Sequence, residues 1–183
     1  MSTRALITAA IVLTALAAPA GAGAVTLVNF DGAAAQPYQS WADRSRVPTV
    51  PTQVQLWQHQ PAVCGSTAWI CTTQAPAVIY TRDARPIAPV ELMHELGHQY
   101  DFLMPEWKRV VVRRILQLPS TPWKIAQPHT SLSLSETFAD IYSACALTRR
   151  RYPVVDVFYD DHVYEVPVRQ ARRVCSLIRQ PNQ

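Results

Sequence analysis

The five residues His94-Glu95-Leu96-Gly97-His98 constrain this chain more than any other stretch. Two histidines four apart share a face only if the backbone is helical, where residues i and i+4 stack one turn apart. Two imidazole nitrogens can then reach one tetrahedral zinc ion without bending the backbone. Glu95 points about a quarter turn away, toward where water on that ion would sit. From there it can take the water's proton and pass it to a leaving amine. A helix is therefore expected over residues 90–102, opened by Pro89, whose fixed φ suits the first helical position. Gly97 in its middle costs about 1 kcal/mol relative to alanine, which points to a packing need. Another element is expected to approach closely behind the metal ligands.

A catalytic zinc ion needs a third protein ligand and an open fourth position. Residues 133–136 (Ser-Leu-Ser-Glu) fit a capping box at the start of a helix running to about residue 149. Glu136 and Asp140, four apart, then project from one face of that helix. One carboxylate can bind the metal while the other accepts the free N–H of a ligand histidine and fixes its tautomer. Without the histidine pair, Glu136 reads as a capping glutamate and Asp140 as an exposed helical acid. Asp140 and His129 stand as alternative ligands to Glu136, and Asp101 reads as the end of the first helix.

His94-Glu95-x-x-His98 followed by Glu136-x-x-x-Asp140 on a later helix resembles the gluzincin class of zinc metallopeptidases, typified by thermolysin. The wider context, residues 92–98 with 136–140, is similar to small secreted bacterial metallopeptidase-like proteins. The resemblance implies a zincin-like fold and one zinc ion per chain, held by His94, His98 and Glu136. It implies Glu95 as general base, Asp140 as the partner of His94, and a peptide or protein substrate. It also implies that residues 77–81 form an edge strand able to hold an extended peptide, where the plain reading is a buried strand. The chain departs from the type enzyme in its longer span from His98 to Glu136 and in having no counterpart of the large C-terminal domain. The metzincin pattern fails outright, because Asp101 and Met104 occupy its glycine and histidine positions. Tyr142, His129, His162, Tyr159 and Tyr164 are all candidate oxyanion stabilisers, with nothing to rank them.

With 183 residues, 49% hydrophobic and 16% charged, the chain suits one domain with a single core. Residues 25–30, 53–58 and 77–81 read as short strands, and 36–51 and 119–128 as loops. Further helices are expected from Pro105 to about residue 118 and from Pro167 to about residue 179. Strands first and helices after them predict an α+β fold rather than an alternating parallel sheet: short N-terminal strands, then an active-site helix, a Glu-bearing helix and a C-terminal helix. The five tryptophans could line a groove but read mostly as core.

Residues 1–24 carry Arg4, an apolar run and Ala22-Gly23-Ala24, the pattern of a cleavable signal peptide. Residues 25–183 then form a single exported, extracellular domain, with no membrane association after cleavage. In that setting Cys64, Cys71, Cys145 and Cys175 are expected in two disulfides, whose three possible pairings sequence does not resolve. The short loop between Cys64 and Cys71 closes easily, and a second bridge would tie two late helices together. A net charge of +4 with one arginine run, Arg149 to Arg151, disfavours a nucleic-acid binder. Two functions follow from the site: a secreted zinc peptidase in which Glu95 activates water at the metal, or a non-catalytic, zinc-stabilised secreted binding module.

Overall fold

The computed structural model describes residues 24–57, 63–64, 68–82, 85–118, 123, 133–147 and 166–182. The expected leader (apart from Ala24), the arginine run, and His129, Tyr159, His162 and Tyr164 lie outside these residues. So does the 119–128 loop except Trp123. The architecture is mixed α+β, one small sheet and five helices among the described residues.

The strands are β1 (Thr26–Asn29), β2 (Gln53–Trp57), β3 (Ile70–Thr73) and β4 (Val78–Thr81), arranged in the order β1-β2-β4-β3. β1, β2 and β4 run parallel, and β3 pairs antiparallel to β4 with Cys71 opposite Tyr80. Alternation decides the faces. Leu27, Val54, Leu56 and Ile79 are buried in register on one face, while Gln55, Trp57 and Tyr80 on the other are half-exposed.

Two features depart from expectation. Parallel neighbours need a crossover, and between β1 and β2 it includes a helix, α1 (Tyr38–Asp43), where a loop is expected. A helix this short has little stability of its own. It is held by Gln39, whose amide donates to the Val25 carbonyl (3.0 Å) and accepts the Leu27 N–H (2.7 Å). The second departure is β3, which sequence reading does not foresee. Its presence makes 78–81 an interior strand, so the expected edge strand is in fact the adjacent one.

The remaining helices are α2 (Pro89–Leu103), α3 (Glu106–Leu116), α4 (Leu134–Leu147) and α5 (Val168–Ile178). α2 opens as expected with Pro89 in its first turn, and Glu91 accepts the Ala88 N–H at 2.7 Å. Its residues 91–97 and 99–101 are all buried, which suits a helix at the centre of a domain. α4 is also buried nearly all round and lies against α2. Gly97 permits this contact: a Cβ there would sit 2.9 Å from the Ala139 Cα and 3.1 Å from the Tyr142 Cβ. The expected close approach behind the histidines is therefore present. Ser143 adds a cross-link, donating to the Val90 carbonyl at 2.9 Å.

Both cysteine pairs form: Cys64–Cys71 beside the sheet, and Cys145–Cys175, which joins α4 to α5. Two disulfides are consistent with an extracellular protein, and no described helix is long and apolar enough to cross a membrane. Three of the five tryptophans belong to the core as expected: Trp123 is buried in it, and the half-buried Trp41 and Trp69 pack against it, whereas Trp57 is half-buried on the sheet and Trp107 is exposed.

Candidate metal centre

α2 presents His94 and His98 one turn apart, and α4 brings Glu136 to meet them. The His94 and His98 Nε2 atoms are 3.1 Å apart, and Glu136 Oε2 lies 3.2 Å from the first and 3.3 Å from the second. Three ligand atoms thus form a nearly equilateral triangle. Tetrahedral zinc, with bonds of about 2.0–2.1 Å, sets its ligands about 3.3 Å apart. The triangle therefore has the edge length of one face of such a site, and the three residues form a group able to hold a metal ion.

Asp140, one turn beyond Glu136, fixes the polarity of this triangle. Its Oδ1 accepts the His94 Nδ1–H at 2.7 Å, so a neutral His94 turns the Nε2 lone pair toward Glu136. Lone pairs on His94 and Glu136 then face each other, which requires a cation or an extra proton between them. The titration behaviour says the same. Burial alone would hold His94 below its ordinary value, but hydrogen bonds to Asp140 and Glu136 outweigh it and raise its pKa well above 6.5. For Glu136, burial pushes upward, yet its hydrogen bonds to the two imidazoles hold the carboxyl far below 4.5. A proton on His94 occupies, electrically, the place of a metal.

Glu95 is buried beside this group, 3% exposed, and its Oε2 has no hydrogen-bond partner among the described residues. Burial pushes its carboxyl above the ordinary 4.5, opposed in part by His94 and His98. A buried carboxylate oxygen without a donor is expensive to leave so. Water is the natural donor to it.

The expected site residues therefore meet: His94, His98, Glu136 and Asp140 converge, with Glu95 adjoining His94 in sequence. The capping reading of residue 136 is half right. Ser133 Oγ does accept the Glu136 N–H at 3.2 Å, but the Glu136 carboxylate reaches the histidines. One other reading is corrected. Tyr142 is fully buried and its hydroxyl donates to the Pro48 carbonyl at 2.9 Å, so it is a core residue and no oxyanion stabiliser. Asp101 stands, as expected, at the end of α2, in its last turn, where its buried carboxylate accepts from Arg109 Nε (3.0 Å) and Trp123 Nε1 (2.8 Å).

Gln99 was not singled out by sequence reading. Buried immediately after His98, it donates to Thr72 Oγ1 (2.5 Å) and to the Thr73 carbonyl (2.7 Å), tying α2 to β3. No protein-family model, curated protein or solved structure matches the chain.

Proposed function

We propose that this chain is an exported, zincin-like zinc peptidase, with His94, His98 and Glu136 as metal ligands and Glu95 as general base. The observation that carries the reading is the triangle of ligand atoms, 3.1 to 3.3 Å on a side, with a buried Glu95 oxygen beside it that has no hydrogen-bond partner among the described residues. Two imidazoles and a carboxylate are a donor set that suits zinc. Bound there, zinc supplies Lewis acidity, polarising a peptide carbonyl and making water a better acid.

The chain's own residues do the rest. Asp140 holds the His94 ring by its Nδ1–H and keeps the lone pair on Nε2. Glu95 Oε2 accepts a proton from the attacking water and returns it to the departing nitrogen. A carboxyl raised by burial suits both directions of that transfer, because it binds the proton more readily than an exposed glutamate. Glu95 also separates this reading from a zinc-stabilised binding module, which has no use for a base beside the metal. The leader-like residues 1–24 and the two disulfides support export.

The test is metal analysis of the purified chain together with a chelator-sensitive peptide-cleavage assay. We expect about one zinc per chain, lost in His98→Ala, and cleavage abolished by chelation. Glu95→Gln should retain zinc and lose at least about 100-fold in turnover. Full turnover in Glu95→Gln would sink the mechanism, and a folded, disulfide-intact chain that binds no zinc would sink the site.

A further inference from the structure

α3 and α5 pack side by side and leave an open groove of about 860 Å³ between them, lined by no residue of α2 or α4. The two walls differ in chemistry. From α3 come Trp107, Val111 and Ile115, spaced i, i+4 and i+8, a continuous apolar stripe. From α5 come Arg169, Arg172 and Arg173, spaced i, i+3 and i+4, a continuous cationic stripe. Trp107 and Val168 are 42% and 41% exposed at the groove. Scattered apolar residues on a surface need no explanation, but a grouped set around a concavity marks a binding surface.

Charge identifies the occupant. α3 and α5 carry seven of the chain's 17 basic residues and one of its 13 acids, Glu106. That glutamate already faces Arg109 at 3.4 Å. Arg169, Arg172 and Arg173 are all exposed, and among the described residues none has an acidic partner. A nucleic-acid backbone would use the arginines but has no need of the apolar wall. A planar bilayer cannot enter a concave groove. An amphipathic helix with an apolar stripe beside an acidic one matches both walls at once.

We infer that the α3–α5 groove is a docking site for an acidic amphipathic helical segment of another protein. Apolar side chains of the partner insert against Trp107 and Val111, and its carboxylates pair with the three arginines. Arginine forks favour such bidentate pairing with carboxylates. The site is independent of the metal centre and does not rest on the peptidase reading.

The probe is a fluorescent synthetic peptide of about 15 residues, leucine on one helical stripe and glutamate on the adjacent one. It is titrated into the full, disulfide-intact protein and followed by anisotropy. We expect saturable binding, weakened roughly tenfold or more by Arg172→Glu with Arg173→Glu and by high salt. Trp107→Ala should weaken it as well. Both variants alter exposed side chains, and circular dichroism checks that they fold. Absence of binding overturns the inference. Equal binding of polyglutamate, or binding indifferent to Trp107→Ala, overturns it too, because the apolar wall would then play no part. Preferential capture by phosphatidylserine vesicles overturns it in favour of a lipid surface.

Discussion

His94 is the residue on which the centre's response to pH turns. Its folded pKa is raised above 6.5, so in metal-free protein its contribution to stability is complete below 6.5 and lost as pH rises through the folded value. Glu136, lowered from 4.5, contributes above that value and loses its contribution as pH falls. The metal-free cluster should therefore stabilise the fold most between about pH 4.5 and 6.5. Metal binding must displace the His94 proton, so zinc affinity should rise with pH over the range where the metal-free cluster weakens. Thermal melts with and without chelator across pH 5 to 9 should diverge progressively, and parallel curves would show that His94 does not hold the competing proton. Asp140→Ala removes the acceptor that orients His94 and should weaken zinc binding by about 10- to 100-fold, read by competition with a chromophoric chelator. An unchanged affinity would leave Asp140 without a role at the metal.

At the scale of elements, the contact of α2 with α4 is what assembles the site. Ala139 lies between Glu136 and Asp140, so whatever displaces Ala139 displaces both carboxylates. Gly97→Ala would place a Cβ 2.9 Å from the Ala139 Cα, and backbone cannot rotate away as a side chain can. Overpacking of about 1–3 kcal/mol should exceed the gain in helix propensity of about 1 kcal/mol. The expected result is a net loss of stability in denaturant melts together with weaker zinc binding. A variant as stable as the parent and equal in affinity would show that the helices have room to spare. The histidine pair, Pro89 and Gly97 were legible in sequence because each states a local rule: spacing, fixed φ, or a missing Cβ. Glu136 was legible as a helix-start residue, and the histidines supplied the reason to see more in it. α1 and β3 were not legible. A six-residue helix held by one glutamine, and a strand of Ile-Cys-Thr-Thr completed by its neighbour, owe their form to tertiary partners.

For the whole molecule, the mixed α+β class was readable from the order of elements, whereas the parallel pairing of β1, β2 and β4 was not. Pairing across such distances depends on which faces the helices cover, and periodicity does not record it. The burial that follows makes the core sensitive to alkali. Burial pushes the Tyr100 hydroxyl up from 10.0 to about 12, and it pushes Tyr142 higher still, with the neighbouring Tyr100 adding to the effect. Both must remain neutral in the fold, so their contribution is intact below pH 10 and lost as pH climbs beyond it. Lys108, lowered from 10.5 by burial, works in the opposite direction, its penalty easing as pH approaches 10.5. The share of stability carried by these core tyrosines should therefore turn downward only above about pH 10. Denaturant melts at pH 9 and 11.5 check this, and the fall should be shallower in Tyr100→Phe. An equally steep fall in that variant would place the sensitivity elsewhere.

α4 is fastened on two sides, by Cys145–Cys175 to α5 and by the His94–His98–Glu136 group to α2. A disulfide and a metal ion that restrain the same helix are thermodynamically linked. Whatever factor reduction of the bond subtracts from metal affinity, metal binding must add to the bond's resistance to reductant. A metal ion held there would thus be redox-coupled: its occupancy would depend on the thiol–disulfide poise around the protein, through a sulfur pair outside the His94–His98–Glu136 group.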